Sequence, residues 1–114
     1  MKSYNGFTPY QRTKGDKILK AAIESGLIPD PNTQPCQICG QTQGIRHYHN
    51  EDYTPENIVN DARVLCWRCH MMLHSRFTHP ESFAKYMIET TIYKRIYPAV
   101  YHHDYKILEQ HFID

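Results

Sequence analysis

Two Cys-x-x-Cys pairs constrain the fold of this chain more than any other feature of its sequence. The pairs are Cys36 with Cys39 and Cys66 with Cys69. One pair can wrap two thiolates around an ion, and a second pair completes the tetrahedral shell of a structural zinc site. A gap of two residues rarely suits the geometry of a disulfide. We therefore predict one structural zinc held by all four cysteines.

The size of the chain makes such a metal useful. A chain of 114 residues fits one small domain, which buries only about two thirds of its unfolded surface. Nine residues are tyrosines, whose polar hydroxyls leave a thin aliphatic core. The net charge of +1 excludes a protein that binds nucleic acid through bulk charge alone.

The distribution of apolar residues argues against a membrane partner. No run of about 18 apolar residues occurs, and the N-terminal segment lacks the apolar stretch of a signal peptide. We expect a cytoplasmic protein whose cysteines stay reduced.

Helical patterns flank the cysteine region. A helix is predicted over residues 8–25, because Thr8 and Pro9 suit its N-cap and first turn. A second helix is predicted over residues 80–95, and a last short helix over residues 104–112. Four side chains of the second helix are predicted to face the core: Phe83, Tyr86, Met87 and Ile92.

The region between these helices has a mixed pattern. Residues 44–49 predict a short strand, residues 50–61 a polar loop, and residues 63–65 a second extended segment. A further helix is expected to begin near Cys69.

Four histidines lie in or beside the cysteine framework. The insert between the pairs, residues 40–65, is longer than the usual zinc-ribbon gap of about 15 to 20 residues, and it holds His47 and His49 on one face of a strand. His70 and His74, four residues apart, share a helix face and can bind one ion. Because four thiolates saturate a zinc ion, these histidines would form a second, open metal site. The alternative is that His70 and His74 lie on the helix surface or support the zinc ligands.

These motifs together resemble the cysteine-bearing branch of the HNH endonucleases. The resemblance covers about residues 36–76. It implies an α+β fold with a small zinc-stapled ββα-metal core and flanking helices at both ends. The chain would then be a single domain with a helical extension (1–30), the core (36–76) and C-terminal helices (80–114). The resemblance rests on three segments: Cys36–Gly40, the His-rich strand, and Leu65–His70 followed by His74.

The resemblance also implies the ligands of a catalytic metal. His70 and His74 match the two ligands that the family places on its helix. The segment from His49 to Tyr53 is similar to the family's His-His-x-Asp-Tyr strand motif, which makes His49 a third ligand. We leave the identity of this divalent metal open among Mg, Mn, Ni and Zn.

The general-base position departs from the family pattern. Asn50 stands where the family has a histidine, and an amide cannot accept a proton from water. The base would then be His47, His49 or Asp52, or the site is not catalytic. The resemblance places the family's middle asparagine near Asn60 or Asp61, with Asn57 as a weaker candidate, and we predict Asn60 as the residue that orients the base.

The implied function is metal-dependent hydrolysis of phosphodiester bonds in DNA, with RNA as an alternative substrate. A homodimer is expected, since small nucleases of this type often cut two strands as a dimer. The rival hypothesis is a non-catalytic zinc module that binds nucleic acid or protein, which Asn50 favours. Four arginines are predicted to contact phosphates: Arg46, Arg63, Arg68 and Arg76.

Overall fold

Residues 1–101 are described by the structure, a computed structural model. A two-stranded antiparallel sheet and several helices make up this part of the chain, in agreement with the predicted α+β class. No helix within these residues is long and apolar enough to cross a bilayer. The helix predicted over residues 104–112 lies outside the described residues. In chain order the elements are α1 (Pro9–Glu24), β1 (Arg46–His49), α2 (Ile58–Asp61), β2 (Arg63–Cys66), α3 (Trp67–His74) and α4 (Pro80–Met87).

The chain forms two compact units. The first, here called the N-terminal unit, contains residues 1–30 and 48–63; the second, the cysteine unit, contains residues 31–47 and 64–101 of the described chain. Residues 1–30 pack with residues 48–63, because that part of the insert supplies the apolar side chains that cover α1.

The predicted N-terminal helix is confirmed as α1. The Thr8 hydroxyl accepts a hydrogen bond from the N–H of Gln11 at 3.2 Å, and the Gln11 side chain accepts one from the N–H of Thr8 at 2.9 Å. This reciprocal capping box satisfies two N–H groups that a helix start leaves without partners. Pro9 occupies the first helical position, and Gly26 ends the helix with a left-handed φ of 80°, as a glycine permits.

Apolar packing between α1 and the insert forms the core of the N-terminal unit. Leu19, Tyr53 and Ile58 are its buried centre. Ile58 lies at the start of α2, a short helix where the sequence analysis predicted only a polar loop; the apolar contact with α1 outweighs the polar character of the surrounding residues. Gly15 of α1 allows this approach, since a Cβ there would lie 2.6 Å from Cδ1 of Ile58 and 3.0 Å from the carbonyl oxygen of Tyr53.

Sulfur and aromatic atoms form the core of the cysteine unit. Three of the cysteines, Cys36, Cys66 and Cys69, are buried together with Leu65 and Tyr86. The partly buried side chains around them come from the first cysteine turn, α3, α4 and the segment that follows: Ile38, Cys39, Met72, Leu73, Met87 and Tyr97.

The predicted helix over residues 80–95 is shorter than expected. Its regular part, α4, passes into a wider π-helical turn at Ile88–Ile92. In this turn the hydroxyl groups of Thr90 and Thr91 bond back to the carbonyls of Tyr86 and Met87, and such back-bonding competes with the helical hydrogen bonds. The prediction that residue 92 faces the core was wrong, because the altered turn leaves this isoleucine 66% exposed.

Candidate metal centre

The four cysteines converge within the cysteine unit, as predicted. Cys36 and Cys39 lie on a tight turn, closed by a hydrogen bond from the N–H of Gly40 to the carbonyl of Cys36 at 2.9 Å. Cys66 ends β2, and Cys69 lies in the first turn of α3. The four Sγ atoms all lie within 4.8 Å of one another.

The geometry of this cluster fits a structural zinc site. Zn–S bonds of about 2.3 Å in a tetrahedron place neighbouring sulfurs roughly 3.8 Å apart, and the Sγ atoms of Cys39 and Cys66 are 3.8 Å apart. Two sulfurs also accept main-chain hydrogen bonds at 3.4 Å, Cys36 from Ile38 and Cys66 from Cys69. Such donors stabilise thiolates. The burial of the cluster excludes competing water, as a closed structural site requires.

Hydrogen bonds among the four cysteine sulfurs shift the pKa values of their thiols. Hydrogen bonds from the other three sulfurs hold the pKa of Cys36 far below its ordinary value. Hydrogen bonding with Cys36 raises the pKa of Cys66 and Cys69 well above theirs. The four thiols therefore do not lose their protons together without a cation, and a divalent ion bound among them would stabilise the charge of the thiolates.

Gln37 joins the first cysteine turn to β2. Its N–H donates to the carbonyl of Val64 at 2.8 Å, and its side-chain oxygen accepts from the N–H of Val64 at 2.7 Å. The glutamine thus pairs with the strand as a neighbouring strand would. This pairing places the first pair of cysteines opposite the second.

A group of histidines lies beside the cysteines in the same unit. Nε2 of His70 and Nε2 of His74 are 2.9 Å apart on the same face of α3, as the spacing predicted. Two nitrogen ligands of one ion, bound at about 2.0–2.1 Å, lie roughly 3 Å apart. The ring of His47 lies 5.5 Å from that of His70. The structure therefore brings His47, His70 and His74 together.

His49, the predicted third ligand, is part of the N-terminal unit. Its ring is buried and packs edge-on against Tyr4, with 5.9 Å between the ring centroids. Its Nε2 atom lies 3.6 Å from a carboxylate oxygen of Glu51. A carboxylate beside a histidine orients the ring. The role of His49 as a metal ligand stays a prediction.

Asn50, at the family's general-base position, makes structural hydrogen bonds. The residue is 3% exposed, and its amide donates to the carbonyl of Ile58 at 2.8 Å and to the carboxylate of Asp61 at 3.2 Å. The same carboxylate oxygen accepts from the N–H groups of Glu51 at 2.7 Å and Asp52 at 2.9 Å. Asp61 therefore holds the turn that follows β1.

The other candidates for acid–base chemistry have different environments. The carboxylate of Asp52 accepts hydrogen bonds from the N–H of Thr54 and the amide of Asn57, which hold the pKa of Asp52 below its usual value. Burial lowers the pKa of His47, so its imidazole is neutral near pH 7. Asn60 is exposed, and its main-chain carbonyl accepts a hydrogen bond from Arg63. In this segment it is the side chain of Asp61 that makes hydrogen bonds to the residues after β1.

The four arginines predicted to contact phosphate are not equivalent. The guanidinium of Arg46 is buried and donates to the carbonyls of Asn32 and Gly44, so a phosphate contact would require these bonds to break. Arg68 reaches the carbonyl of Pro98 at 3.5 Å. Arg63 donates to the carbonyls of Asn60 and Ala62, and Arg76 donates to the carbonyl of Leu73.

The roles of two residues of the centre were not predicted from the sequence. Gln37 carried no signal, because its strand-like pairing depends on the turn around it. Tyr86 was predicted as core, but its hydroxyl lies 2.9 Å from Sγ of Cys69; the need of a buried tyrosine for a polar partner was the available signal.

No protein-family profile, curated protein or solved structure gives a significant match to this chain.

Proposed function

We propose that the chain is a metal-dependent endonuclease of the HNH type, with a structural zinc beside a separate catalytic metal. The observation that carries the proposal is the histidine pair of α3, whose Nε2 atoms lie 2.9 Å apart immediately after the last cysteine of the framework. The order β1, β2, α3 supports it, because a ββα-metal core has the same succession of two strands and a helix.

His70 and His74 would hold the catalytic metal, with His49 as the third ligand that the family motif implies. Three protein ligands leave coordination positions for phosphate and water. When bound, a divalent cation at such a site supplies Lewis-acid stabilisation of the charge on phosphate and leaving oxygen. The four cysteines would hold the strands and α3 in register without taking part in the reaction.

His47 is the best candidate for the general base. Its imidazole is kept neutral by burial and lies beside His70, so it can accept a proton from an attacking water near pH 7. Asp52 is a poorer base, because the hydrogen bonds to its carboxylate lower its pKa and so weaken its affinity for a proton. Asn50 supports the structure of the turn instead of the chemistry.

The substrate proposed is DNA, with RNA as the alternative. Arg63, Arg68 and Arg76 supply the cationic groups that would contact phosphates. Contacts of this kind position a nucleic acid without reading its sequence. A homodimer that cuts both strands is part of the same proposal.

The test is the nicking of supercoiled plasmid by the purified protein with Mg, Mn or Ni added. We expect nicking that depends on the metal and is lost in the His70→Ala, His74→Ala double variant while one zinc per chain remains. His47→Ala should lower the rate by about 10²–10⁴-fold, the usual contribution of a general base. His79→Ala, at an exposed histidine of the same unit, is the matched control and should cut at the wild-type rate.

The second candidate is a zinc module that binds nucleic acid or protein without cutting it. Asn50 at the general-base position is the observation that favours it. The absence of cutting of duplex DNA, single-stranded DNA and RNA with every metal would support this candidate and exclude the nuclease. Salt-dependent retention of DNA would then distinguish nucleic acid from protein as its partner.

A further inference from the structure

The sulfur atoms of a zinc–thiolate site accept hydrogen bonds, and three of the four cysteines here have main-chain donors. The N–H of Ile38 donates to Cys36 and the N–H of Cys69 donates to Cys66, both at 3.4 Å. The N–H of Gln41 donates to Cys39. In each case the donor lies two or three residues after the cysteine. A donor to a charged acceptor makes a stronger hydrogen bond than one between neutral groups.

Cys69 stands in a different backbone environment. It lies in the first turn of α3, and the N–H groups of the residues that follow it in the helix are directed at the carbonyls four residues earlier. The N–H groups of Met71 and Met72, two and three residues after Cys69, therefore belong to the hydrogen bonds of the helix. A donor for this sulfur has to come from another part of the fold.

The hydroxyl of Tyr86 occupies this place. It lies 2.9 Å from Sγ of Cys69, and both side chains are buried. The ring of Tyr86 is stacked on that of Tyr97, with 5.3 Å between centroids and 21° between planes, and the hydroxyl of Tyr97 donates to the carboxylate of Glu89. The stack fixes the ring in the orientation that points its hydroxyl at the sulfur.

We propose that Tyr86 is a positioning residue of the zinc centre, whose O–H donates to the Cys69 thiolate in place of the missing main-chain N–H. This bond withdraws charge from one sulfur and ties α4 to the metal. Without it, Cys69 would be the most electron-rich of the four ligands. The inference goes beyond the proposed nuclease activity and holds whether or not the chain cuts nucleic acid.

The test uses the full chain loaded with ¹¹³Cd, which binds four thiolates as zinc does and is visible by NMR. A proton that hydrogen-bonds to a ligand sulfur shows a correlation with the metal through that sulfur. We expect such a correlation from the hydroxyl proton of Tyr86, and its loss in Tyr86→Phe. The amide protons of Ile38 and Cys69 should give the same kind of correlation and serve as internal references.

A second measurement replaces zinc with Co(II) and records the sulfur-to-metal charge-transfer band. Tyr86→Phe should move this band to lower energy, because the sulfur lone pair is no longer stabilised by a donor. Tyr97→Phe is the matched control: it removes a hydroxyl from the stacked ring but leaves the bond to Cys69, so the band should not move.

The wild-type ¹¹³Cd measurement decides the matter even if Tyr86→Phe does not fold. A spectrum with correlations from the two amides and none from the Tyr86 hydroxyl would overturn the proposal. So would a folded Tyr86→Phe protein whose Co(II) band matches that of wild type, since a purely packing role for the ring predicts no change.

Discussion

The two units of this chain stabilise cores of similar modest size by different means. In the N-terminal unit, Leu19, Tyr53 and Ile58 exclude water from carbon surfaces. In the cysteine unit, the centre is occupied by sulfur atoms, whose affinity for one another is small and whose affinity for a metal is large. One small chain can thus combine a core that forms by apolar burial with a second core whose central sulfur atoms suit a bound metal.

Metal removal should produce the largest difference in stability between the two units. Structural zinc contributes about 10–16 kcal/mol of apparent binding free energy in small metal-dependent domains, more than the whole stability of many domains. We expect a zinc chelator to abolish amide hydrogen-exchange protection in α3 and α4 while α1 keeps much of its own. Equal loss of protection in α1 would mean that the two cores do not fold independently.

Truncation of Ile58 tests how much the core of the N-terminal unit contributes to stability. Ile58→Ala should lower the free energy of unfolding by about 2–5 kcal/mol, because it leaves a cavity where the side chain is fully buried. The protection of α1 should fall, and the zinc content per chain should stay the same. The matched control is Ile92→Ala at an exposed isoleucine, which should change stability by less than about 0.5 kcal/mol.

The close approach at Gly15 allows a finer test. Gly15→Ala gains about 1 kcal/mol of helix propensity, but its new Cβ would collide with Cδ1 of Ile58, and overpacking costs about 1–3 kcal/mol. We expect net destabilisation by about 1 kcal/mol in chemical denaturation. The penalty should shrink in an Ile58→Val background, which lacks that Cδ1 atom; an unchanged penalty would assign it to the contact with the carbonyl of Tyr53.

The exposed position Lys17 of the same helix provides the control for this cycle. Lys17→Ala should change stability by less than about 0.5 kcal/mol, because its side chain makes no contact with the core. Its effect should also be the same in the Ile58→Val background.

The sequence predicted the parts of the fold that local rules govern. Thr8 and Pro9 marked the start of α1, and the spacing of four residues placed His70 and His74 on one helix face. The zinc ligands were predictable because two short cysteine pairs have few other uses in a reduced protein.

Other features depend on contacts between distant residues and had no local signal. Polar residues around Ile58 predicted a loop, yet its burial against α1 produces a short helix there. The threonines of the π-helical turn bond back to earlier carbonyls and turn Ile92 outward. The buried guanidinium of Arg46 was predicted as a phosphate contact because charge alone does not reveal which arginines have carbonyl partners inside the fold.

The pairing of β1 with β2 has a consequence for the order in which the chain can be assembled. Every residue of the N-terminal unit is synthesised before Val64, so this unit can form while the second pair of cysteines has yet to leave the ribosome. Once residues 48–63 have packed, the pairing of β1 with β2 holds the two strands at the ends of this segment together. The loop that must close to bring Cys39 to Cys66 is then much shorter in effect, and a shorter loop loses less entropy on closure. Apolar packing in the N-terminal unit thereby lowers the entropic cost of metal binding in the cysteine unit of the nascent chain.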